Sequence, residues 1–177
     1  MNLLEPVCAL IVAGLYWEKV DSPILLAGWA FAVVGVALLR VVGALLFHHL
    51  APESAHLRHW RWGLLIAILA NGVLFGYAAV QFNPISTLFA PGMVQTQTIN
   101  GALMAGLTML AVTCYGIYLP AAVVYVLSVT GPPALYVVSE AQSSFPMLSA
   151  IALIVMLFLL VAARRIHAAT LNTLRLQ

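Results

Sequence analysis

Residues 23–48 have the sequence PILLAGWAFAVVGVALLRVVGALLFH, an apolar run with one charged residue, Arg40. A stretch of about 18 or more apolar residues is long enough to cross the hydrocarbon core of a bilayer as a helix. A soluble fold of 177 residues that is 64% hydrophobic and 7% charged would leave large apolar surfaces in water. The chain is therefore predicted to be an all-α integral membrane protein.

Charges, prolines and polar clusters separate this run from five others. Together they predict a bundle of six transmembrane helices, at residues 3–17, 23–48, 60–82, 97–118, 121–139 and from 146 onward. Five spans are the alternative, because the first run would rise only about 22 Å as a helix, against roughly 30 Å for the hydrocarbon core. Gly131, Pro132 and Pro133 predict that the fifth run is kinked or locally broken.

The basic residues predict the orientation. Segments 48–61 and 162–177 carry five of them, and Lys19 alone lies in the other loops. Because cytoplasmic loops carry the excess of Lys and Arg, both segments and the N-terminus are predicted to be cytoplasmic. The net charge of +2 is small, so we expect contact with membrane lipid and no nucleic-acid partner. The five basic residues are Arg58, Arg61, Arg164, Arg165 and Arg175.

The segment from Phe158 to Gln177 contains no proline or glycine, which predicts that the last helix continues into the cytoplasm. In a dimer its apolar residues would pair as the start of a coiled coil, whereas the alternative is a basic tail that lies on anionic lipid. The chain is thus divided into a transmembrane bundle, 1–163, and a connector, 164–177. The apolar positions at helical spacing are Leu160, Ile166 or His167, Leu171 and Leu174.

Five segments carry a resemblance to a known class of protein. From about Trp29 to the end, the chain resembles the multi-span N-terminal sensory region of bacterial membrane receptors. In such receptors this region precedes a coiled-coil linker and a histidine kinase or a GGDEF diguanylate cyclase domain. The segments are Trp60-Arg61-Trp62, residues 71–76 (NGVLFG), residues 100–106 (NGALMAG), residues 118–121 (YLPA) and the exit from Ala163-Arg164-Arg165 to Leu176.

This resemblance implies a homodimeric sensory module in the bacterial inner membrane. It also implies a small lipophilic ligand, because the group includes sensor kinases for diffusible fatty-acid signals. The chain has no GGDEF motif, no phosphorylatable H-box and no kinase ATP-binding segment, so any output must come from elsewhere. The alternative is a small transporter or an accessory subunit of a membrane complex, although residues 1–82 and 83–177 show no internal repeat.

Polar side chains at membrane depth are the candidate ligand-binding residues, because burying them without a partner is expensive. Arg40 is expected to snorkel to the headgroups, to bind a ligand carboxylate or to pair with Glu5. Asn71 and Asn100 each precede a glycine, so the backbones there can approach closely, and each amide can bond to another helix or to a ligand. The full predicted set is Trp29, Arg40, Asn71, Tyr77, Gln97, Asn100, Met104 and Tyr136.

Two further patterns concern polar residues. On the fourth run, four positions recur at helical spacing and predict a stripe that becomes less polar from its outer end inward, as part of a polar rim over an apolar interior. The hairpin between the second and third runs carries four histidines, where a metal or haem is conceivable, but their spacing matches no known ligand set. Catalytic motifs such as GxSxG and HExxH are absent, so we expect no metal, no cofactor and no enzyme activity in this chain. The stripe is Gln97, Asn100 or Gly101, Met104 and Thr108, and the histidines are His48, His49, His56 and His59.

Overall fold

A computed structural model describes residues 4–20, 22–50, 57–82, 93–141 and 146–175. Over these ranges the chain is all-helical, with six helices and no strand. Helices α2 to α6 are each long and apolar enough to cross a membrane, whereas α1 has 13 residues. The prediction of an all-α membrane protein is confirmed, with five helices of span length and one shorter apolar helix. The helices are α1 (Leu4–Tyr16), α2 (Pro23–Leu50), α3 (Leu57–Gln81), α4 (Met93–Tyr115), α5 (Leu119–Ala141) and α6 (Pro146–Arg175).

Prolines mark where the helices begin. Helix α2 begins at Pro23 and α6 at Pro146, as predicted, because a helix needs no backbone N–H from its first residues. Ser22 caps α2, since its hydroxyl accepts a hydrogen bond from the backbone N–H of Leu25 at 3.4 Å. Pro120 lies in the first turn of α5, which follows α4 after only residues 116–118.

The α3–α5 pair forms the most extensive helix contact, and α5 also packs against α6. Small residues allow this approach, as they do between transmembrane helices in general. A β-carbon on Gly72 would overlap the side chain of Ser128, and one on Gly76 would meet the backbone of the same residue. The close approach predicted beside Asn71 is therefore confirmed. Beside Asn100 it is wrong, because Gly101 has no described atom within 4 Å of the corresponding position.

The fifth run was predicted to be kinked or locally broken. Helix α5 is continuous through its two prolines, so a local break is wrong, and the kink stays a prediction. Pro132 and Pro133 each lack the N–H that would bond to the carbonyl four residues earlier, on Ser128 and Val129. Both carbonyl oxygens face α3 next to Gly76. The two carbonyls that the prolines leave without a helical N–H therefore lie where the neighbouring backbone is close.

The main apolar cluster contains residues from all five helices α1, α2, α3, α4 and α5, and Trp29 is one of its buried members. The indole N–H of Trp29 donates to the carbonyl oxygen of Leu74 at 2.8 Å, and its ring packs edge-on against Phe75 and Phe82. A second cluster joins the end of α4 to α5 and α6, through Leu159 and Ala163 among others. Helix α6 continues without a break past the two arginines to Arg175, as predicted.

Candidate functional site

An ion pair lies inside the bundle, between α1 and α2. Glu5 is fully buried and the Arg40 side chain is 9% exposed, and Nη1 of the guanidinium contacts Oε2 of the carboxylate. Nη2 of Arg40 donates to the hydroxyl of Tyr115 on α4. Pairing with Glu5 was one of three predicted uses of Arg40, and snorkelling to the headgroups is wrong. Two buried charges are tolerated here because each supplies the partner that the other needs.

Two more polar side chains surround this ion pair. Asn71 of α3 is fully buried beside the Glu5 carboxylate. Tyr125 of α5 packs against Tyr115 with ring centroids 5.8 Å apart. Each of the helices α1 to α5 therefore contributes one polar group. We call this set the buried polar cluster: Glu5, Arg40, Asn71, Tyr115 and Tyr125.

Several atoms of the buried polar cluster have no hydrogen-bond partner among the described residues. They are Oε1 of Glu5, both amide atoms of Asn71 and the hydroxyl of Tyr125. A buried polar group left unpaired costs about 1–3 kcal/mol, so most buried groups in native structures are paired. The cluster therefore carries unused hydrogen-bonding capacity at membrane depth, which is typical of a functional site.

A groove opens between α2 and α3 next to the buried polar cluster. Its volume is about 900 Å³, within the range of small-molecule sites. Its walls are apolar, with Leu39, Phe47 and Leu64 among the lining residues. Arg40 lines one end of the groove, which we call the deep end. The other end lies between the last turn of α2 and the first turns of α3, at His48, His59 and Arg61, and we call it the mouth. The groove and the cluster thus share one residue.

Tyr115 connects the buried polar cluster to α6. It ends α4, and the carbonyl oxygen of the next residue, Gly116, lies 2.9 Å from Nδ1 of His167. A β-carbon on Gly116 would stand 2.5 Å from Cγ2 of Ile166. Two positions of the predicted connector therefore pack on the α4–α5 turn. The contacts run from Arg40 through Tyr115 and Gly116 to α6.

The structure brings only part of the predicted ligand-binding set together. Arg40 and Asn71 lie in the buried polar cluster, whereas Asn100 is fully buried close to Tyr16. By distance and angle neither asparagine amide makes a well-formed hydrogen bond to a described residue, but each lies close to a polar group of α1, Asn71 to Glu5 and Asn100 to Tyr16. The interhelical amide bond therefore stays a prediction. Trp29 is a core residue, because its indole and ring contacts lie within the helix packing.

The other predicted residues lie in different surroundings. Gln97 is buried and Met104 packs on the main apolar cluster, so the stripe of α4 faces the other helices. Tyr77 is 43% exposed and Tyr136 is half-buried, both away from the groove. The part of the chain that the structure describes contains no group of three metal-ligating side chains. His56 and the side chain of Glu140 lie outside the described residues.

Sequence reasoning missed Tyr115 and Tyr125. Both lie in apolar runs near the α4–α5 turn, where tyrosine is common at the membrane interface. Nothing in the sequence shows that the two rings turn inward toward Arg40. No protein-family model, curated protein or solved structure matches this chain. The chemistry of the site is therefore argued from its own residues.

Proposed function

We propose that this chain is the membrane-embedded sensory module of a bacterial inner-membrane receptor. In this proposal a small lipophilic ligand binds in the α2–α3 groove and shifts α2 against its neighbours. The receiver of the movement is a cytoplasmic kinase or cyclic-dinucleotide domain. The observation that carries the proposal is the position of Arg40, which lines the groove and also begins the polar contacts that reach α6.

The groove suits a lipophilic ligand because its walls are apolar and its volume is that of a small-molecule site. Arg40 is held from two sides, by Glu5 of α1 and Tyr115 of α4. A shift of α2 must therefore move these partners or break one contact. A ligand biases such an equilibrium only by its difference in affinity for the two arrangements.

The movement would reach α6 through the α4–α5 turn. Gly116, the residue after Tyr115, contacts both Ile166 and His167. A displacement of Tyr115 would therefore also displace these residues of α6. Most of the apolar side chains of α6 are exposed toward the surrounding lipid, with Leu159 and Ala163 buried against α5. Because α6 packs on α5 and on the end of α4 along one face, a rotation or sliding of this helix would follow a displacement of the α4–α5 turn.

A second candidate function is transport. Charged and unpaired polar groups at membrane depth also mark substrate pathways, and Glu5, Asn71 and Tyr125 provide such groups. The two functions differ in one observable property. A transporter moves solute across proteoliposomes, whereas a sensor changes the position of α6 without net flux.

The test uses the full chain in nanodiscs with a diazirine-bearing long-chain fatty acid as probe. Cross-linked residues are mapped by mass spectrometry, and bimane on Ala169→Cys reports on α6 in a background without Cys8 and Cys114. We expect labelling along the groove and a shift of bimane emission. Filling the groove with Ala67→Phe should abolish both, whereas Ala102→Phe on the exposed side of α4 should abolish neither.

Tyr115→Phe separates binding from transmission. The groove stays intact, so labelling should persist, but Arg40 loses its α4 partner and the bimane shift should disappear. Tyr118→Phe, on the same turn, is the matched control and should keep both. Labelling spread evenly over all lipid-facing helices, or a full shift in Tyr115→Phe, would contradict the proposal.

A further inference from the structure

The mouth of the α2–α3 groove is basic. His48, His59 and Arg61 line it and are exposed, with Trp60 between the last two. Among the described lining residues there is no aspartate or glutamate. Arg61 therefore brings a positive charge to the mouth, and the two histidines add ring nitrogens that can donate hydrogen bonds.

The deep end differs in its charge. The guanidinium of Arg40 is engaged by Glu5 and Tyr115, so its charge is balanced inside the bundle. The groove walls between Arg40 and the basic mouth are therefore apolar. Over the eight residues between Arg40 and His48, α2 rises about 12 Å.

The groove is also open to the lipid. Leu39 is 71% exposed, Ile66 is 62% exposed and Leu64 is 44% exposed, and they belong to both of its walls. In a bilayer these side chains contact hydrocarbon chains. An occupant can therefore enter from the side, out of the membrane itself.

We propose that the groove binds an anionic phospholipid of the surrounding membrane. The phosphate lies at the mouth, on Arg61 and the two histidines, and one acyl chain lies along the apolar walls toward Arg40. This inference rests on the proposed function, because it names the class of ligand that the sensory groove takes. The sensed quantity is then the anionic lipid content of the leaflet that the mouth faces.

The residue types fit this headgroup. An arginine offers two parallel N–H donors to a phosphate, and Arg61 has no carboxylate partner among the residues that the structure describes. Trp60 carries an amphipathic ring that is typical of the headgroup level. A soluble anion would gain nothing from the apolar walls, whereas an acyl chain fills them.

The test measures quenching of Trp60 by lipids with brominated acyl chains in nanodiscs. Trp17 and Trp62 are replaced by Phe, and a Trp60→Phe variant gives the background from Trp29 in the core. We expect half-maximal quenching at an about fivefold lower mole fraction of brominated phosphatidylglycerol than of brominated phosphatidylcholine. Arg61→Gln should bring the two values together, and Arg165→Gln, an exposed arginine outside the groove, should leave the difference unchanged.

Several results would overturn the inference. Equal quenching by both lipids in the parent, or an undiminished preference in Arg61→Gln, refutes the basic mouth as a headgroup site. Relief of quenching by excess inorganic phosphate shows that the mouth binds anions without regard to the lipid chain, which also overturns it.

The bimane response to the fatty-acid probe separates this inference from the proposed function. If the lipid preference is lost but the bimane response at position 169 is intact, the phospholipid inference is refuted and the proposed sensory function stands. If the lipid preference is intact but there is no bimane response at position 169, the proposed sensory function is refuted and the groove remains a lipid-binding site.

Discussion

Gly76 of α3 and Ser128 of α5 lie so close that a β-carbon on the glycine would stand 2.5 Å from the serine carbonyl oxygen. This carbonyl is the one that Pro132 cannot bond, because proline lacks an N–H. The carbonyl oxygen of Val129, freed by Pro133, would lie 3.1 Å from the same β-carbon. The glycine therefore gives α3 access to the stretch of α5 where the helix lacks its own hydrogen bonds.

Gly76→Ala should destabilise the bundle. The added methyl group meets backbone atoms that cannot rotate away, so we expect a loss of about 1–3 kcal/mol in the free energy of unfolding. Unfolding in mixed micelles, followed by circular dichroism, measures this loss. Gly101→Ala is the control, because no described atom lies within 4 Å of its added carbon, and it should be neutral or gain up to about 1 kcal/mol. Equal effects of the two substitutions would refute the close α3–α5 contact.

The Glu5–Arg40 pair should show strong coupling in a double-mutant cycle. Arg40→Met leaves the buried carboxylate of Glu5 without its charge partner, which should cost about 3–5 kcal/mol. Combining it with Glu5→Gln should recover much of that loss, because neither charge is then buried. The free energies of unfolding of the four proteins give the coupling energy.

The same cycle distinguishes the buried pair from a snorkelling arginine. If Arg40 reached the headgroups, the two substitutions would act independently and their effects would add. A coupling energy near zero would therefore exclude the ion pair. Arg165→Met, on the exposed surface of α6, is the control and should change stability little.

Asn100→Leu should preserve folding. Its amide is fully buried close to Tyr16 of α1, so leucine, which has a similar shape, removes at most one interhelical contact, worth about 0.6–2 kcal/mol. We expect a folded bundle with at most a small loss of stability. If Asn100 contributes to ligand binding, the bimane response at Ala169 should weaken in the same variant. A normal response would exclude Asn100 from the ligand site, and a strong loss of stability would mean that the amide has a structural partner.

Cysteine at Leu171 tests the dimer connector. Leu171 is 38% exposed near the end of α6, where a coiled coil would place it against a second copy. The Leu171→Cys variant is made in a protein without its two natural cysteines and is oxidised in native membranes. We expect dimers cross-linked by a disulfide. Asn172→Cys, the next residue on a different face of the helix, should cross-link less. Equal or absent cross-linking at both positions would contradict a paired helix.

The candidate site could be predicted in part. Arg40 and Asn71 were selected from the sequence because polar groups at membrane depth are rare and costly. Tyr115 and Tyr125 could not be selected, because a tyrosine in an apolar run gives no sequence signal that distinguishes a ring facing lipid from one facing the bundle. The orientation of each helix about its own axis decides this, and that orientation depends on contacts between residues distant in the chain.

The sequence by itself determined that this is a helical membrane protein. An apolar segment in a bilayer has no water to bond to, so it satisfies its backbone hydrogen bonds by forming a helix. The sequence also determined where α2 and α6 begin, since proline acts locally. Only the tertiary structure decided that Arg40 turns to Glu5 and that α5 stays helical through its prolines. The first outcome needs a carboxylate from another helix, and the second occurs where Gly76, which has no side chain, lets α3 approach the carbonyls that the prolines leave free.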